Sequence, residues 1–150
     1  MDQIDKKILM LLQKNAKQNT KEIANQIGLT VSPTFERIKK LEQQGFIKAY
    51  VALLDRVKIG KALMAYCQIS LFKHSKELID NFRKEMAVLP EVLVCLHVSG
   101  NYDFLLEVAV NDMNEYQAFV VEKLSIVDGI SNIQSSFVME VIKDETAYSL

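Results

Sequence analysis

The 150-residue sequence has no tryptophan, two prolines, two cysteines and five glycines. None of its apolar runs approaches the roughly 20 residues that a membrane-spanning helix needs. Its start, MDQIDKKIL, lacks the basic region and the apolar core of a secretory signal. The absence of both segments predicts a cytoplasmic protein with no membrane partner. In a reducing compartment Cys67 and Cys95 are expected to be buried free thiols.

Motifs that carry catalysis or bind metals are also missing. The two cysteines form no CxxC or metal-ligand spacing, and His74 and His97 fall on different predicted elements. There is no glycine-rich phosphate loop and no Ser/His/Asp or Cys/His arrangement. The sequence therefore predicts a protein that is not an enzyme, with no metal and no cofactor.

Charge is unevenly distributed along the chain. Residues 1–50 carry nine basic and five acidic residues, a net charge of +4, whereas residues 51–150 carry nine basic and fourteen acidic residues, a net charge of −5. A basic N-terminal part favours an anionic partner, and an acidic remainder favours a separate role.

Residues 20–41 have the pattern of a helix, a tight turn and a second helix. Thr20 is predicted to cap the first helix, Gly28 to end it and Thr30 to cap the second, with Pro33 in the first turn. The inner face of the second helix is predicted to hold Val31, Phe35, Ile38 and Leu41. This is the pattern of a helix-turn-helix, whose second helix enters the major groove of DNA. The alternative is a plain helical hairpin with a solvated outer face.

The outer face of the second helix supplies the candidate DNA contacts. Hydroxyl groups near a helix start suit phosphates or base edges, arginine reads guanine, and lysine binds phosphate. The predicted DNA-binding residues are Ser32, Thr34, Arg37, Lys39 and Lys40.

Flanking segments complete this domain. Asp2 is predicted to cap a first helix, in which Ile4, Ile8, Leu11 and Leu12 recur at helical spacing. Residues 46–53 read as a strand that forms a wing or a linker, and Gly60 marks a boundary. The predicted division is a helix-turn-helix domain at 1–52, a strand or linker at 53–62, and a second domain at 63–150.

The second domain changes to a period of two. Strands are predicted at 63–72, 92–99, 104–110 and 130–141, with helices at 75–86 and 115–124. The order βαββαβ is that of a ferredoxin-like fold, so the chain is predicted to be α+β.

The faces of the predicted middle strands differ. One face is wholly apolar and is expected to lie under the helices: Val92, Val94, Leu96, Val98, Phe104, Leu106, Val108 and Val110. The other face is mixed: Leu93, Cys95, His97, Leu105, Glu107 and Ala109. Nothing in the chain covers the mixed face, which predicts a symmetric dimer formed sheet against sheet.

The turn Gly100–Asp103 is the candidate effector site. Gly100 permits close approach of a ligand, exposed N–H groups of the turn can hold a carboxylate, and Asp103 can pair with an ammonium group. Asn101 and Tyr102 complete the turn, and Gln134 and Ser135 are expected to come from the facing strand or from a partner protomer. The alternative is a plain turn in which Asn101 and Asp103 satisfy the backbone.

Five stretches, in order, resemble one family over essentially the whole chain. They are Asp2-x-x-Asp5-x-x-Ile8-Leu9-x-x-Leu12, Ile23-Ala24…Gly28-Leu29-Thr30-x-Ser32-Pro33, Arg37-Ile38-Lys39-x-Leu41-Glu42-x-x-Gly45-x-Ile47, Val98-x-Gly100-x-Tyr102-Asp103-x-Leu105-Leu106 and Gly129-Ile130. The chain resembles the leucine-responsive regulatory protein/AsnC (Lrp/AsnC, feast/famine) family of transcription regulators. The resemblance implies an N-terminal helix-turn-helix, a ferredoxin-like domain that dimerises, assemblies of dimers such as an octamer, and amino acids bound between protomers.

Two departures from the family pattern concern the sites. The family usually has two consecutive basic residues in the recognition helix, whereas here Glu36 precedes Arg37. Two threonines near the start of the last strand are replaced by Ile133 and Ser135. The hypothesis is a sequence-specific regulator of transcription that binds double-stranded DNA and responds to an amino acid. The alternative is an amino-acid-sensing module that acts through protein contacts without binding DNA.

Overall fold

A computed structural model describes all residues from Met1 to Leu150. The chain forms two compact units, one of Met1–Leu53 with Ile142–Leu150 and one of Leu54–Val141. These units differ from the predicted division in placing the last segment with the N-terminal helices. Within the first unit, the Gln13 side-chain amide bonds the backbone of Tyr148 at 3.0 and 2.6 Å. None of the helices combines the length and apolarity that a bilayer crossing requires.

Three helices form the first unit: α1 (Gln3–Lys14), α2 (Thr20–Ile27) and α3 (Val31–Gln43). Their small core consists of Ile8, Leu12, Ile23 and Leu41. Asp2 caps α1 as predicted, and its carboxylate accepts from the Asp5 N–H while the Asp5 carboxylate accepts from the Asp2 N–H. The predicted helix-turn-helix is therefore present.

The caps of α2 and α3 differ in part from the prediction. Asn19, not Thr20, caps α2, because Asn19 and Glu22 form a reciprocal capping box at 3.0 and 2.9 Å and Thr20 is already helical. Gly28 ends α2 in the left-handed conformation with φ +73°, as predicted. Thr30 occupies the cap position of α3, but its side chain makes no capping hydrogen bond.

The predicted inner face of α3 is partly wrong. Thr34 and Leu41 are the buried residues of this helix, whereas Val31 and Phe35 are 47% and 52% exposed. Thr34 tolerates burial because its hydroxyl donates to the Thr30 carbonyl at 2.9 Å, which leaves no unpaired polar group. The helix is therefore rotated relative to the phase that its apolar residues alone suggest.

The predicted strand at 46–53 is absent. These residues form no regular element, and the Val51 and Leu53 side chains are each 74% exposed. A strand is stable only where a neighbour satisfies its N–H and C=O groups, and no other segment of the chain pairs with this one. Its apolar composition is typical of a strand, but the partner is missing.

The second unit has the predicted βαββαβ order. Its elements are β1 (Leu63–Leu71), α4 (Lys76–Val88), β2 (Val92–His97), β3 (Phe104–Val110), α5 (Met113–Ala118) and β4 (Ile130–Phe137), with a π-helical segment at Phe119–Leu124 directly after α5. The antiparallel sheet has the order β2-β3-β1-β4. The ferredoxin-like fold is thus confirmed. Several predicted bounds are wrong: β1, β2 and β4 end earlier than expected, α4 ends later, and α5 begins earlier.

The predicted faces are right for β3 and wrong for most of β2. Phe104, Leu106, Val108 and Val110 are all buried in the core of this unit. In β2, a bulge after Val92 shifts the register, so Cys95 lies opposite Leu106 and His97 opposite Phe104. Val94 and Leu96 therefore lie on the open face, and the His97 ring stacks on Phe104 with centroids 4.7 Å apart. One extra residue in a bulge inverts every later side chain of its strand.

Gly129, at the turn before β4, provides a test of the second unit. Its φ is +93°, and a Cβ there would stand 3.0 Å from Leu78 Cδ2 on α4. Gly129→Ala adds this contact to the left-handed backbone penalty, so we expect a loss of roughly 2 kcal/mol in the free energy of unfolding. Urea denaturation measures the loss.

The matched control is Gly28→Ala. Gly28 has a similarly positive φ of +73°, but nothing lies within 4 Å of an added Cβ. Only the backbone penalty of about 1 kcal/mol applies to this variant. Equal losses for the two variants would contradict the packing role of the contact between Gly129 and Leu78.

Candidate DNA-binding and effector sites

The outer face of α3 is the candidate DNA surface. The exposed side chains along it are Ser32, Glu36, Lys39 and Lys40. Ser32 lies in the first turn of the helix, where free N–H groups and the helix dipole favour an anion such as phosphate. Three of the five predicted contacts, Ser32, Lys39 and Lys40, are therefore accessible to a duplex.

Thr34 is not on this surface. Its side chain is fully buried, and its hydroxyl is used by the Thr30 carbonyl. Its predicted placement on the outer face was wrong, because Thr34 packs inward and its hydroxyl donates to the Thr30 carbonyl.

Arg37 is also not free. Its Nη1 lies 2.7 Å from Asp2 Oδ2 and 2.7 Å from Asp5 Oδ1, both at the start of α1. The hydrogen bonds to Asp2 and Asp5 raise the pKa of Arg37. The pKa of Asp2 is lowered, first by the hydrogen bond from the Asp5 N–H and then by Arg37. Sequence patterns miss this group because the partners stand more than thirty positions apart.

Phe35 and Tyr50 line an open groove of about 440 Å³ in the first unit. Leu12, Ile23 and Ile38 form its apolar floor. The Tyr50 hydroxyl donates to Glu42 at 2.9 Å, and burial with this bond raises the pKa of Tyr50 to about 12. Phe35 therefore lines this groove and does not belong to the core, contrary to the prediction.

At the predicted effector turn, Asp103 is already occupied. Its Oδ2 accepts from the Leu71 N–H at 2.7 Å, and its Oδ1 lies 2.8 Å from His74 Nε2. Its backbone N–H donates to the Ile69 carbonyl, and its carbonyl accepts from the Val98 N–H. Asp103 therefore ties the turn to β1 and β2, as the alternative of a plain turn predicts, and its carboxylate is not free for an ammonium group.

The other predicted effector residues fall into two separate groups, one in the turn and one on β4. Gly100 has open space where a Cβ would stand, Asn101 is exposed and Tyr102 is half-buried. Gln134 and Ser135 pair with Gln68 and Cys67 on the opposite edge of β1 from β3. Within one chain, β1 therefore separates β4 from the strand that follows the turn.

Ser135 belongs to a polar group that sequence reasoning missed. The Tyr116 hydroxyl donates to Ser135 Oγ at 2.5 Å and lies 3.1 Å from Cys67 Sγ. Burial raises the pKa of both Tyr116 and Cys67. Ser135 thus faces the core rather than the open face of the sheet, whereas Gln134 faces outward. The period of two in β4 was the available signal for this difference.

No group of three or more His, Cys, Asp or Glu side chains is arranged to hold a metal ion. Cys67 is a buried free thiol as predicted, whereas Cys95 is a free thiol that is exposed, because it lies on the edge strand β2.

The structural role of Asp103 can be tested directly. Asp103→Ala leaves the half-buried Leu71 N–H without its acceptor, so we expect a loss of about 1–3 kcal/mol in the free energy of unfolding without any ligand present. Asn101→Ala, in the same turn but exposed, is expected to change it by less than about 0.5 kcal/mol. Chemical denaturation of both variants measures the difference, and an Asp103→Ala protein as stable as the parent would refute the assignment.

Two family models match the chain. The model described as winged helix-turn-helix DNA-binding matches residues 1–48. The model described as Lrp/AsnC ligand binding domain matches residues 64–148, more than half of the chain.

Individual relatives agree over nearly the full length. The DNA-binding transcriptional activator DecR of Escherichia coli K12 is 39% identical over 147 residues, covering 98% of this chain and 97% of that protein. The leucine-responsive regulatory protein of the same organism is 34% identical over 143 residues, covering 95% and 87%. A transcriptional regulator of Neisseria meningitidis, crystallised with L-Met, superposes with a TM-score of 0.95 at 34% identity, covering 99% and 96%.

These matches agree with the geometry of both units, a helix-turn-helix followed by a ferredoxin-like domain. The chain belongs to the Lrp/AsnC family of ligand-responsive, DNA-binding transcription regulators.

Proposed function

We propose that α3 enters the major groove of double-stranded DNA and that Ser32, Lys39 and Lys40 are its contacts. The observation that carries this proposal is their joint exposure on one face of the second helix of a helix-turn-helix. Lysine ammonium groups bind phosphates, and the hydroxyl of Ser32 suits a phosphate or a base edge. A regulator that acts on chromosomal DNA works in the cytoplasm of a bacterium, which is where we place this chain.

Glu36 shares this face and is expected to influence base selection. A carboxylate repels phosphates, so a favourable role for Glu36 requires a hydrogen bond from a cytosine amino group in the groove. We propose that Glu36 helps to define the operator rather than to increase general affinity for DNA.

We propose that a second copy of the chain completes the assembly. The open face of the sheet carries apolar side chains such as Val94, Leu96 and Leu105, all at least partly exposed. The segment at 46–53, which forms no regular element, is also largely apolar and has no partner strand within the chain. Pairing with a second copy covers the first surface and supplies a strand for the second, and it presents two recognition helices to a two-fold operator. Assemblies of such dimers, including an octamer, belong to the same proposal.

We propose an amino acid as the effector, bound where the Gly100–Asp103 turn meets a partner protomer. Support comes from the ligand-binding family model over residues 64–148 and from the L-Met found in the Neisseria meningitidis relative. Backbone N–H groups of Gly100, Asn101 and Tyr102 are suited to the carboxylate, with Asp103 holding the turn in shape. Because β1 separates Gln134 and Ser135 from this turn, the partner's copy is the one expected to contribute Gln134.

The DNA contacts predict a salt dependence. Each lysine that contacts a phosphate adds about 0.9 to the slope of log affinity against log salt concentration. Lys39→Gln and Lys40→Gln are therefore each expected to lower the slope by about 0.9 on a duplex selected from a random pool by the parent protein. Fluorescence anisotropy at several salt concentrations measures it.

The control for this experiment is Lys73→Gln, an exposed lysine of the second unit, which is expected to leave the slope unchanged. An identical slope for the parent and the three variants would show that Lys39 and Lys40 of α3 do not contact phosphates. If the parent protein binds no duplex, the alternative function remains: an amino-acid-sensing module that acts through protein contacts.

The effector predicts ligand-induced stabilisation. An amino acid present at 100 times its dissociation constant stabilises the native state by about 2.7 kcal/mol, which raises the melting temperature by several degrees. Differential scanning fluorimetry with each of the twenty amino acids is expected to show this rise for at least one apolar amino acid. No rise with any of them would count against an amino-acid effector.

A further inference from the structure

Three side chains at the junction of α1 and α3 form a compact charge clamp, which we define as Asp2, Asp5 and Arg37. Each carboxylate uses one oxygen to cap α1 and the other to bind Arg37. Asp2 Oδ1 accepts from the Asp5 N–H at 2.8 Å, and Asp5 Oδ2 accepts from the Asp2 N–H at 2.9 Å. The remaining oxygens, Asp2 Oδ2 and Asp5 Oδ1, each lie 2.7 Å from Arg37 Nη1. The two residues that cap α1 therefore also hold α3, through Arg37.

Apart from the hydrogen bond from the Tyr50 hydroxyl to Glu42, few side-chain contacts fix the orientation of α3. Over its length of 13 residues, α3 buries only Thr34 and Leu41, and Thr34 contributes a small polar side chain. Ile38 is only half-buried, and Val31 and Phe35 are about half exposed. Hydrophobic burial is non-directional, so these few apolar contacts determine the rotation of α3 about its axis only weakly. Charge-assisted hydrogen bonds to two fixed carboxylates are directional and restrict that rotation.

Arg37 is poorly suited to contact DNA from this place. Its guanidinium group is surrounded by two carboxylates, so the clamp as a whole carries one negative charge and repels phosphates. To reach a phosphate or a guanine, Arg37 would have to leave both acids, and it would exchange two anionic partners for one. Lys40, three residues further along α3, has no such partner and is exposed.

We propose that Arg37 is a positioning residue for DNA recognition, which acts by holding α3 against the start of α1 through Asp2 and Asp5 and does not contact the duplex. This proposal rests on the proposed function of α3. It assigns to Asp2 and Asp5, two acidic residues, a favourable effect on the binding of a polyanion.

The test is whether removing the negative charges of Asp2 and Asp5 weakens or strengthens DNA binding. Asp2→Asn with Asp5→Asn makes the domain more positive by two charges, and general electrostatics predicts tighter binding. Asparagine is also a good helix N-cap, so the start of α1 is preserved. If the clamp positions α3, the double variant instead binds the selected duplex about tenfold more weakly, which is the scale of one misplaced base contact. Binding to an unrelated duplex, which depends on phosphates, is not weakened.

Three further variants separate positioning from contact. Arg37→Gln is expected to lose about tenfold in affinity for the selected duplex with an unchanged salt slope, whereas Lys40→Gln loses about 0.9 of slope. Arg37→Lys is expected to remain within about threefold of the parent, because a single nitrogen bridges both acids and an ammonium group can take its place. An arginine that reads guanine with both nitrogens is not replaced by lysine. Melting curves confirm that each variant is folded.

Two results would overturn the proposal: a slope that falls in Arg37→Gln as it does in Lys40→Gln, or a doubly substituted Asp2 and Asp5 protein that binds the selected duplex as tightly as the parent or more tightly. Should Arg37→Gln fail to fold, the double variant and Arg37→Lys decide the question alone. Failure of the parent protein to bind any duplex is a different outcome, since it would overturn the proposed function itself and the role of the clamp with it.

Discussion

Helices cover only one face of the four-stranded sheet, and this one-sided cover is the constraint on which the rest of the second unit depends. The covered face is filled by Phe82, Phe104 and Phe119 with aliphatic neighbours, all fully buried or nearly so. The open face combines apolar side chains with the hydrogen-bonded pair of Tyr66 and Glu107. Such a surface is too polar for a core and too apolar for a free surface, so it suits contact with another protein surface.

The same constraint explains where an effector can act. The Gly100–Asp103 turn is attached to β1 through Asp103, while Gln134 and Ser135 lie beyond β1 on β4. Ser135 faces the core and Gln134 lies across β1 from the turn, which is why we propose that the effector lies between two chains and that the partner contributes Gln134. In this proposal, the effector would stabilise one arrangement of two chains over another and so change the spacing of the two recognition helices.

The element order was predictable because its signals are local. Asp2 and Gly28 were correctly assigned to helix ends, since a cap or a left-handed glycine depends on a few neighbouring residues. The buried face of β3 followed from the alternation of side chains along the strand, although Ala109 on the other face is buried as well. Of the candidate DNA contacts, the exposure of Ser32, Lys39 and Lys40 followed from the same kind of periodicity.

The errors arise where a distant group or an extra residue decides the outcome. The bulge after Val92 places the later residues of β2 on the faces opposite to those predicted, and nothing in the local sequence at Leu93 or Val94 indicates a bulge. The segment at 46–53 has strand-like composition, but strand formation depends on a partner that the sequence does not specify. Arg37 resembled a groove contact because its partners, Asp2 and Asp5, lie in another helix. Thr34 was misplaced because its hydrogen bond to Thr30 offsets the cost of burying it.

The charges on α3 follow from these placements. With Arg37 neutralised by two acids, the outer face presents Glu36 against Lys39 and Lys40, a surplus of one positive charge. Most of the basic residues of the first 50 therefore lie elsewhere in the first unit, for example Lys6, Lys7 and Lys48. A recognition helix with so small a surplus gains little from phosphates alone, and non-specific binding depends on phosphates. If two copies bind one operator as we propose, affinity depends on correctly oriented base contacts from both helices, so the orientation of α3 and the pairing of chains matter more than total charge.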